Sequence, residues 1–345
     1  MNSALDESLM RRAIELSRRG FPAPNPHVGC VLAHGEQIVG EGWHKFAGAP
    51  HAEAMALEEA GDRAKRATCY TTQEPCNAAG RRPPCSQALI RAGVARVVQA
   101  VRDPNPMKAG GMDTLRAAGI AVDTGLLEAE AAAANPYFLF RHAHGRPFVA
   151  VKAATTLDGF IARLDGTSKW ITGPEARAEG HRLRAELGCV LVGRETVALD
   201  NPELTARLDG VVNQPVRAVL DPSGRLTGRE KVFADAGAVW FVGGDQARLD
   251  AVATPYVEGG FDLKAVLEEL TRRDVIGVLV EGGGRTIRSF LEAGLVDEIH
   301  LFQAPRLFGE GRPWAGGANL DLSTFAVVQA APVGRDSHVI LRRTA

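Results

Sequence analysis

Residues 68–101 read Thr-Cys-Tyr-Thr-Thr-Gln-Glu-Pro-Cys-Asn-Ala-Ala-Gly-Arg-Arg-Pro-Pro-Cys-Ser-Gln-Ala-Leu-Ile-Arg-Ala-Gly-Val-Ala-Arg-Val-Val-Gln-Ala-Val. Thr68 to Thr72 is rich in β-branched and aromatic residues and predicts a strand. Pro84 to Ala92 predicts a helix entered through proline, and Ala95 to Val101 a second strand. Strand, helix, strand is the repeating unit of a layered α/β domain, with helices covering a sheet. Two cysteines punctuate the unit, one ending the first strand and one opening the helix.

The same alternation extends outward. Upstream, Ser8 to Gly20 places Leu9, Ala13, Ile14 and Leu16 on one helical face, with Gly20 as terminator. Val28 to Leu32 and Gln37 to Gly42 predict a hairpin, and a helix opens at Pro50-His51 and runs to Gly61. Downstream, Thr114 to Ala118 begins a helix and Ile120 to Val122 continues the pattern. The stretch Asn135 to Pro147 interrupts it, which puts a domain boundary at 145/146. A second α/β series follows: strand Phe148 to Ala153, helix Pro174 to Leu187, and strands Cys189 to Val192, Val216 to Leu220 and Ala238 to Val242. It is expected to close with strand Val275 to Val280, a glycine loop, helix Thr286 to Ala293 and strand Glu298 to Ala304.

Composition bounds the function. The chain has 345 residues and a formal net charge of −1, which gives no basic excess for a nucleic-acid partner. Its apolar runs are too short to span a bilayer, and Met1 to Gly20 lacks a signal peptide's apolar stretch. A soluble, cytoplasmic protein is expected. Five cysteines imply no disulfide framework. Cys30, Cys69 and Cys189 are expected to be core thiols, and His27, His34, His142, His144 and His181 have no ligand partners at a recognisable spacing.

His51, Cys76 and Cys85 form a different set. One imidazole and two thiolates supply three ligands to zinc and leave a fourth tetrahedral position for water, the composition of a catalytic site. Zinc lowers the pKa of that water to about 7. Glu53 follows His51 by two residues at the start of the same helix, where it can move a proton without binding metal. A lone His-x-Glu is a weak signal, and the usual zinc-deaminase spacing is Pro-Cys-x-x-Cys. Here eight residues separate the cysteines. The ordered combination of Pro-His-Ala-Glu, strand, Glu-Pro-Cys and Pro-Pro-Cys at a helix start favours the metal site over two core thiols.

With these residues in hand, the sequence resembles the bifunctional riboflavin-biosynthesis deaminase/reductase family. The likeness lies in Asn25-Pro26-x-Val28-Gly29-Cys30, Gly42-Trp43-His44, Pro50 to Glu53, Glu74-Pro75-Cys76, Gly80-Arg81-x-Pro83-Pro84-Cys85 and Asp103-Pro104-Asn105-Pro106. The eight-residue gap between cysteines is the family's own. The resemblance implies a cytidine-deaminase-like three-layer α/β domain over 1–145, with Glu53 catalytic, His51, Cys76 and Cys85 on Zn2+, and Asn25, His44, Arg81 and Asn105 on the substrate. Two departures stand out. Ala78 replaces a histidine after Cys76, and the loop Ala109-Gly110-Gly111 is shortened and lacks the family's basic residue.

In the second half, Val278 to Thr286 reads strand, three glycines, helix start. Glycines let backbone amides approach a phosphate, although a plain tight turn reads equally well. Lys152 to Gly159, Ser168 to Thr172 and Thr196 to Arg207 put polar groups at element ends, where α/β sheets form clefts. Together these resemble the reductase half of the same family, a dihydrofolate-reductase-like α/β domain over 146–345. The resemblance implies NADPH on Ala154, Trp170, Thr196, Asp200, Ser223, Gly283, Gly284, Arg285, Thr286, Ile287, Arg288 and Ser289. It implies reductase substrate on Lys152, Ser168, Arg184, Leu204, Arg207 and Glu281, with Asp200 and Glu281 the ionisable candidates for proton donor.

The expected activity is zinc-dependent hydrolytic deamination of 2,5-diamino-6-(5-phosphoribosylamino)pyrimidin-4-one, then NADPH-dependent reduction of the ribosyl group to ribityl. The partner is that small phosphorylated pyrimidine, with no nucleic acid and no membrane, and a homo-oligomer (dimer or tetramer) is implied. The alternatives are a reductase whose deaminase domain is impaired or re-specialised, or is retained only for binding, and a nucleic-acid base deaminase with an accessory domain.

Overall fold

The computed structural model describes residues 3–78, 83–243, 251–257, 260–317 and 320–344. The chain separates into two compact units, Met1–His144 with Gly210–Asn213, and Gly145–Asp209 with Gln214–Ala345.

Unit 1 contains helix α1 (Ala4–Ser17), hairpin β1 (Gly29–His34) and β2 (Gln37–Trp43), α2 (Ala52–Ala60), β3 (Thr68–Gln73), α3 (Cys85–Ala92), β4 (Arg96–Val101), α4 (Gly111–Ala117), β5 (Ala121–Thr124), α5 (Glu128–Ala132) and α6 (Pro136–His144). The sheet order is β2-β1-β3-β4-β5. β1 runs antiparallel to both neighbours, while β3, β4 and β5 are parallel. Alternating side chains split the core between two faces. Cys30, Leu32, Cys69 and Val97 meet α2, α3 and α4, whereas Val31, Ala33, Tyr70 and Val98 meet α1 and α5. This is the three-layer arrangement expected.

Glycine sets the position of α2. A Cβ on Gly42 would lie 2.1 Å from the Ala52 carbonyl oxygen, so only glycine lets the helix start seat on β2. The helix that opens the metal site is thereby pressed against the sheet.

Unit 2 contains β6 (Phe148–Thr156), β7 (Phe160–Ala162), α7 (Pro174–Leu187), β8 (Cys189–Gly193), α8 (Arg194–Asp200), β9 (Val216–Asp221), β10 (Ala238–Gly243), β11 (Ala251–Thr254), β12 (Tyr256–Val257), β13 (Gly260–Phe261), α9 (Leu263–Arg272), β14 (Gly277–Val280), α10 (Gly284–Glu292), β15 (Glu298–Ala304), β16 (Arg312–Pro313), β17 (Phe325–Val333) and β18 (Asp336–Arg343). Its nine-stranded sheet has the order β11-β10-β9-β8-β14-β6-β15-β18-β17. Strands from β11 to β15 are parallel; β18 and β17 add antiparallel to the edge. The central strands are buried on both faces, which explains their unbroken apolar runs.

Three expectations need correction. The second series does not close at Ala304, because β17 and β18 extend the sheet. Residues 326–330 of β17 are exposed on both sides, so no alternation marks it as a strand. The interruption at Asn135 to Pro147 is mostly helix α6, with Asn135 preceding Pro136 as a helix-start pair. Finally, α4 begins at Gly111, ahead of Thr114, and a Cβ on Gly111 would sit 1.8 Å from the Pro75 carbonyl oxygen. Among the described residues no helix is long and apolar enough to cross a membrane.

Candidate functional sites

In unit 1 the three proposed metal ligands converge. His51 caps α2, Cys85 is the first residue of α3, and Cys76 follows β3. Nδ1 of His51 lies 3.3 Å from Cys85 Sγ and 3.6 Å from Cys76 Sγ. Tetrahedral zinc with ordinary bond lengths requires N···S separations of about 3.6 Å, so the donor set fits the ion. Among the described residues this is the one His/Cys/Asp/Glu group whose atoms are close enough to hold a metal. The Cys85 N–H donates to Cys76 Sγ at 3.4 Å, and Cys76 is pushed down to about 4 by its contact with Cys85, with His51 adding to the effect against burial. The N–H at the start of α3 adds a smaller contribution in the same direction.

Glu53, in the first turn of α2, is buried, and burial pushes its pKa up. A buried carboxyl with a raised proton affinity beside three metal ligands is suited to taking and returning a proton.

His44 stands edge-on to His51, with ring centroids 5.4 Å apart. Burial pulls its pKa to about 4, so the ring is neutral near pH 7. Its Nδ1 is 3.2 Å from the Pro50 carbonyl oxygen and its Nε2 is 3.1 Å from Asn25 Nδ2. Nδ1 therefore donates and Nε2 accepts, which joins Asn25 to the ligand helix. Asn105 lies in the loop after β4, its Oδ1 accepting from the Met107 N–H at 3.0 Å. Arg81 lies outside the described residues.

Asn77, the residue before Ala78, meets the shortened loop. Asn77 donates its backbone N–H to Lys108 O at 2.9 Å, and its Nδ2 lies 3.6 Å from where a Gly110 Cβ would stand. Asn77 Oδ1 also accepts from Ser86 Oγ at 2.9 Å, bracing the turn of α3 that carries Cys85.

Unit 2 presents two adjoining cavities of about 700 and 710 Å³ at the carboxyl ends of its central strands. Both include Thr196, Gly283 and Arg285 in their walls. The first also takes Lys152, Ala154, Ser168, Trp170, Arg184, Asp200, Glu281, Gly284 and Ile287; the second takes Thr286 and Ser289. Gly283 has a φ of +58° and precedes α10, whose first amides have no partner within the helix. This is a cradle suited to a dinucleotide's phosphates.

Four expected residues lie outside both linings. Leu204 is buried in the apolar cluster with Val197 and Val219, and Ser223 Oγ donates to Asp221. Arg207 bonds Thr205 Oγ1, and Arg288 pairs with Glu292 on the exposed face of α10.

A buried ion cluster closes one end of the first cavity. Arg184 Nε donates to Glu281 Oε1 at 2.6 Å and Nη2 to Oε2 at 2.8 Å, while Lys152 Nζ lies 3.8 Å from Oε2. Burial works to raise the Glu281 pKa, but Arg184 and Lys152 outweigh it and hold it at about 2. Burial lowers the Lys152 pKa. Glu281 is therefore an anion, and burial makes Lys152 the readier of the two to give up a proton.

Comparison with known proteins adds a second line of evidence. Residues 3–101 match the cytidine and deoxycytidylate deaminase zinc-binding region, and residues 147–339 match the RibD C-terminal domain. Riboflavin biosynthesis protein RibD of Aquifex aeolicus is 43% identical over 316 residues, covering 89% of each chain. Its Escherichia coli counterpart is 40% identical over 325 residues, covering 88% of this chain and 89% of that one. The chain belongs to the RibD family.

A solved structure of RibD from Acinetobacter baumannii superposes with a TM-score of 0.88 at 36% identity over 99% of both chains. A Thermotoga maritima deaminase/reductase gives 0.84 at 36% identity over 98% of both. As a RibD-family member, the chain is a bifunctional riboflavin-biosynthesis enzyme, a zinc-dependent deaminase joined to an NADPH-dependent reductase. No finding favours the nucleic-acid or impaired-deaminase alternatives.

Proposed function

We propose that residues 1–145 deaminate 2,5-diamino-6-(5-phosphoribosylamino)pyrimidin-4-one and that residues 146–345 reduce the ribosyl group of the product. The observation that carries the first assignment is the convergence of His51, Cys76 and Cys85 beside buried Glu53. When bound, zinc supplies the Lewis acidity that makes water a nucleophile at neutral pH. Glu53 takes the proton from that water at its carboxylate and returns it to the departing amine, so that ammonia leaves and a carbonyl remains. Asn25 and His44 hold the pyrimidine edge, and Asn105 and Arg81 complete its binding.

For reduction, NADPH supplies the hydride. Ala154, Trp170, Thr196, Asp200, Gly283 to Ile287 and Ser289 orient the cofactor. Ser168, Arg207 and the Arg184–Glu281 pair position the phosphorylated sugar, the exposed guanidinium of Arg207 being suited to phosphate oxygens. Lys152 Nζ, which lines the same cavity, gives its proton to the sugar ring oxygen as the bond from that oxygen to the anomeric carbon breaks; the carbon, having received hydride, is left as a CH2 on nitrogen and the ring oxygen as a hydroxyl. Asp200 is less suited, since Lys169 Nζ sits 3.6 Å from its carboxylate.

The enzyme works in the cytoplasm as a homo-oligomer. Self-association is supported by the edge strand β17, which exposes Val327 at 61% and Val328 at 51%. Supplying the purified protein with the diaminopyrimidine, with and without NADPH, tests the function. Ammonia should appear in both cases and NADPH oxidation should follow it. Cofactor oxidation without ammonia would overturn the first assignment, and ammonia without oxidation the second.

A further inference from the structure

Glu74 links the metal ligands to the loop that carries Asn105. It follows β3, two residues before Cys76, and is only 8% exposed. Its Oε1 accepts from the backbone N–H of Gly110 at 2.9 Å and of Met112 at 3.3 Å. Its Oε2 accepts from the N–H of Asp103 at 3.2 Å. One donor lies at the start of the loop, one at its end and one in the first turn of α4. Among the described residues no arginine or lysine ion-pairs with this carboxylate. Both of its oxygens are instead taken up by peptide N–H groups.

The loop is also pressed on the metal segment from its other side. Asn77 N donates to Lys108 O at 2.9 Å, and Gly111 abuts the Pro75 carbonyl. Inside the loop, Asp103 Oδ1 accepts from the Asn105 N–H at 2.9 Å, which fixes Asn105 locally. Glu74 fixes the whole loop relative to Cys76, because its carboxylate bonds N–H groups at both ends.

We propose that Glu74 is a positioning residue for deamination, anchoring residues 103–110 where they meet the pyrimidine beside the metal ligands. This rests on the reading of Asn105 as a substrate contact. Glu74 itself touches no reacting atom; it acts through the loop.

The test uses the full-length, zinc-loaded enzyme with Glu74→Gln, Glu74→Ala and Asn105→Ala. Measured are deamination KM and kcat, zinc content, and NADPH oxidation with the deaminated substrate supplied directly. Glu74→Ala should raise the deamination KM by between about tenfold and a hundredfold, with a smaller change in kcat. Zinc content and the reductase rate should match the wild type. Glu74→Gln should fall between, because its amide oxygen keeps Gly110 and Met112 while its NH2 faces the Asp103 N–H. Wild-type KM in both Glu74 variants overturns the anchor. Loss of zinc from Glu74→Gln also overturns it, by making the side chain a support of the ligands. Wild-type KM in Asn105→Ala overturns the substrate reading of Asn105, an outcome separable from the first.

Discussion

Arg184 and Glu281, 97 residues apart in sequence, meet in a two-pronged ion pair of 2.6 and 2.8 Å at one end of the reductase cavity. With Lys152 beside them, two cations share one buried anion. Removing the anion alone leaves two largely buried cations facing each other with no carboxylate between them, the costly way to break such a cluster. Glu281→Gln should destabilise unit 2 by about 3–5 kcal/mol and abolish NADPH oxidation while ammonia release persists. Chemical denaturation and the two activity assays measure this; unchanged stability would show the cluster to be hydrated.

The same pair sets a pH dependence. Glu281 titrates at about 2 in the fold against an ordinary value of 4.5, so it binds fewer protons folded than unfolded in this interval. Its contribution to stability is complete above about pH 5 and is lost as pH falls from there toward 2. Asp6 in unit 1 behaves alike, held low by Arg96 at 2.8 and 3.1 Å. Urea midpoints measured from pH 6 to pH 3 should fall, and Glu281→Gln should flatten the decline for unit 2. A midpoint constant over that range would contradict the assignment.

Gly42 offers a steric test. An alanine there places Cβ 2.1 Å from the Ala52 carbonyl oxygen, backbone that has no other rotamer to adopt. Gly42→Ala should displace the start of α2, cost about 1–3 kcal/mol and lower ammonia release with NADPH oxidation preserved. Thermal unfolding and the paired assays would check it, and full deaminase activity would show that α2 can shift without harm.

Neutral His44 gives a further expectation. Because its pKa is about 4, its hydrogen-bond pattern with Pro50 and Asn25 holds throughout pH 6–8. His44→Ala should raise the deamination KM by on the order of tenfold or more and retain zinc, since the substrate loses an oriented ring. A loss of zinc with unchanged KM would make His44 a support for His51 instead.

Much of this was legible because the relevant signals are local. His51 and Glu53 share one helix start, and Cys76 and Cys85 sit at a strand end and a helix start, positions marked by proline. The central strands of unit 2 declare themselves as apolar runs. What escaped notice depends on long-range contact. Glu74 acts on N–H groups up to 38 residues away, and the backbone donors leave no trace in side-chain identity. Buried His300 and Glu298 are joined to exposed Arg342 through strands that pair across 44 residues. The Lys152–Glu281–Arg184 cluster joins three distant elements, so Glu281 looked like a candidate acid until its cations were placed. Exposed β17 carries no periodicity at all.

Glu53→Gln tests the deaminase site most directly, with zinc content and ammonia release measured on one preparation. The variant should keep about one zinc per chain and lose ammonia release by a factor of at least about 100, since metal binding needs only His51, Cys76 and Cys85 while proton movement needs the carboxylate. Zinc retained alongside near-normal ammonia release would mean that another group moves the proton, and the chemistry assigned to this site would be wrong.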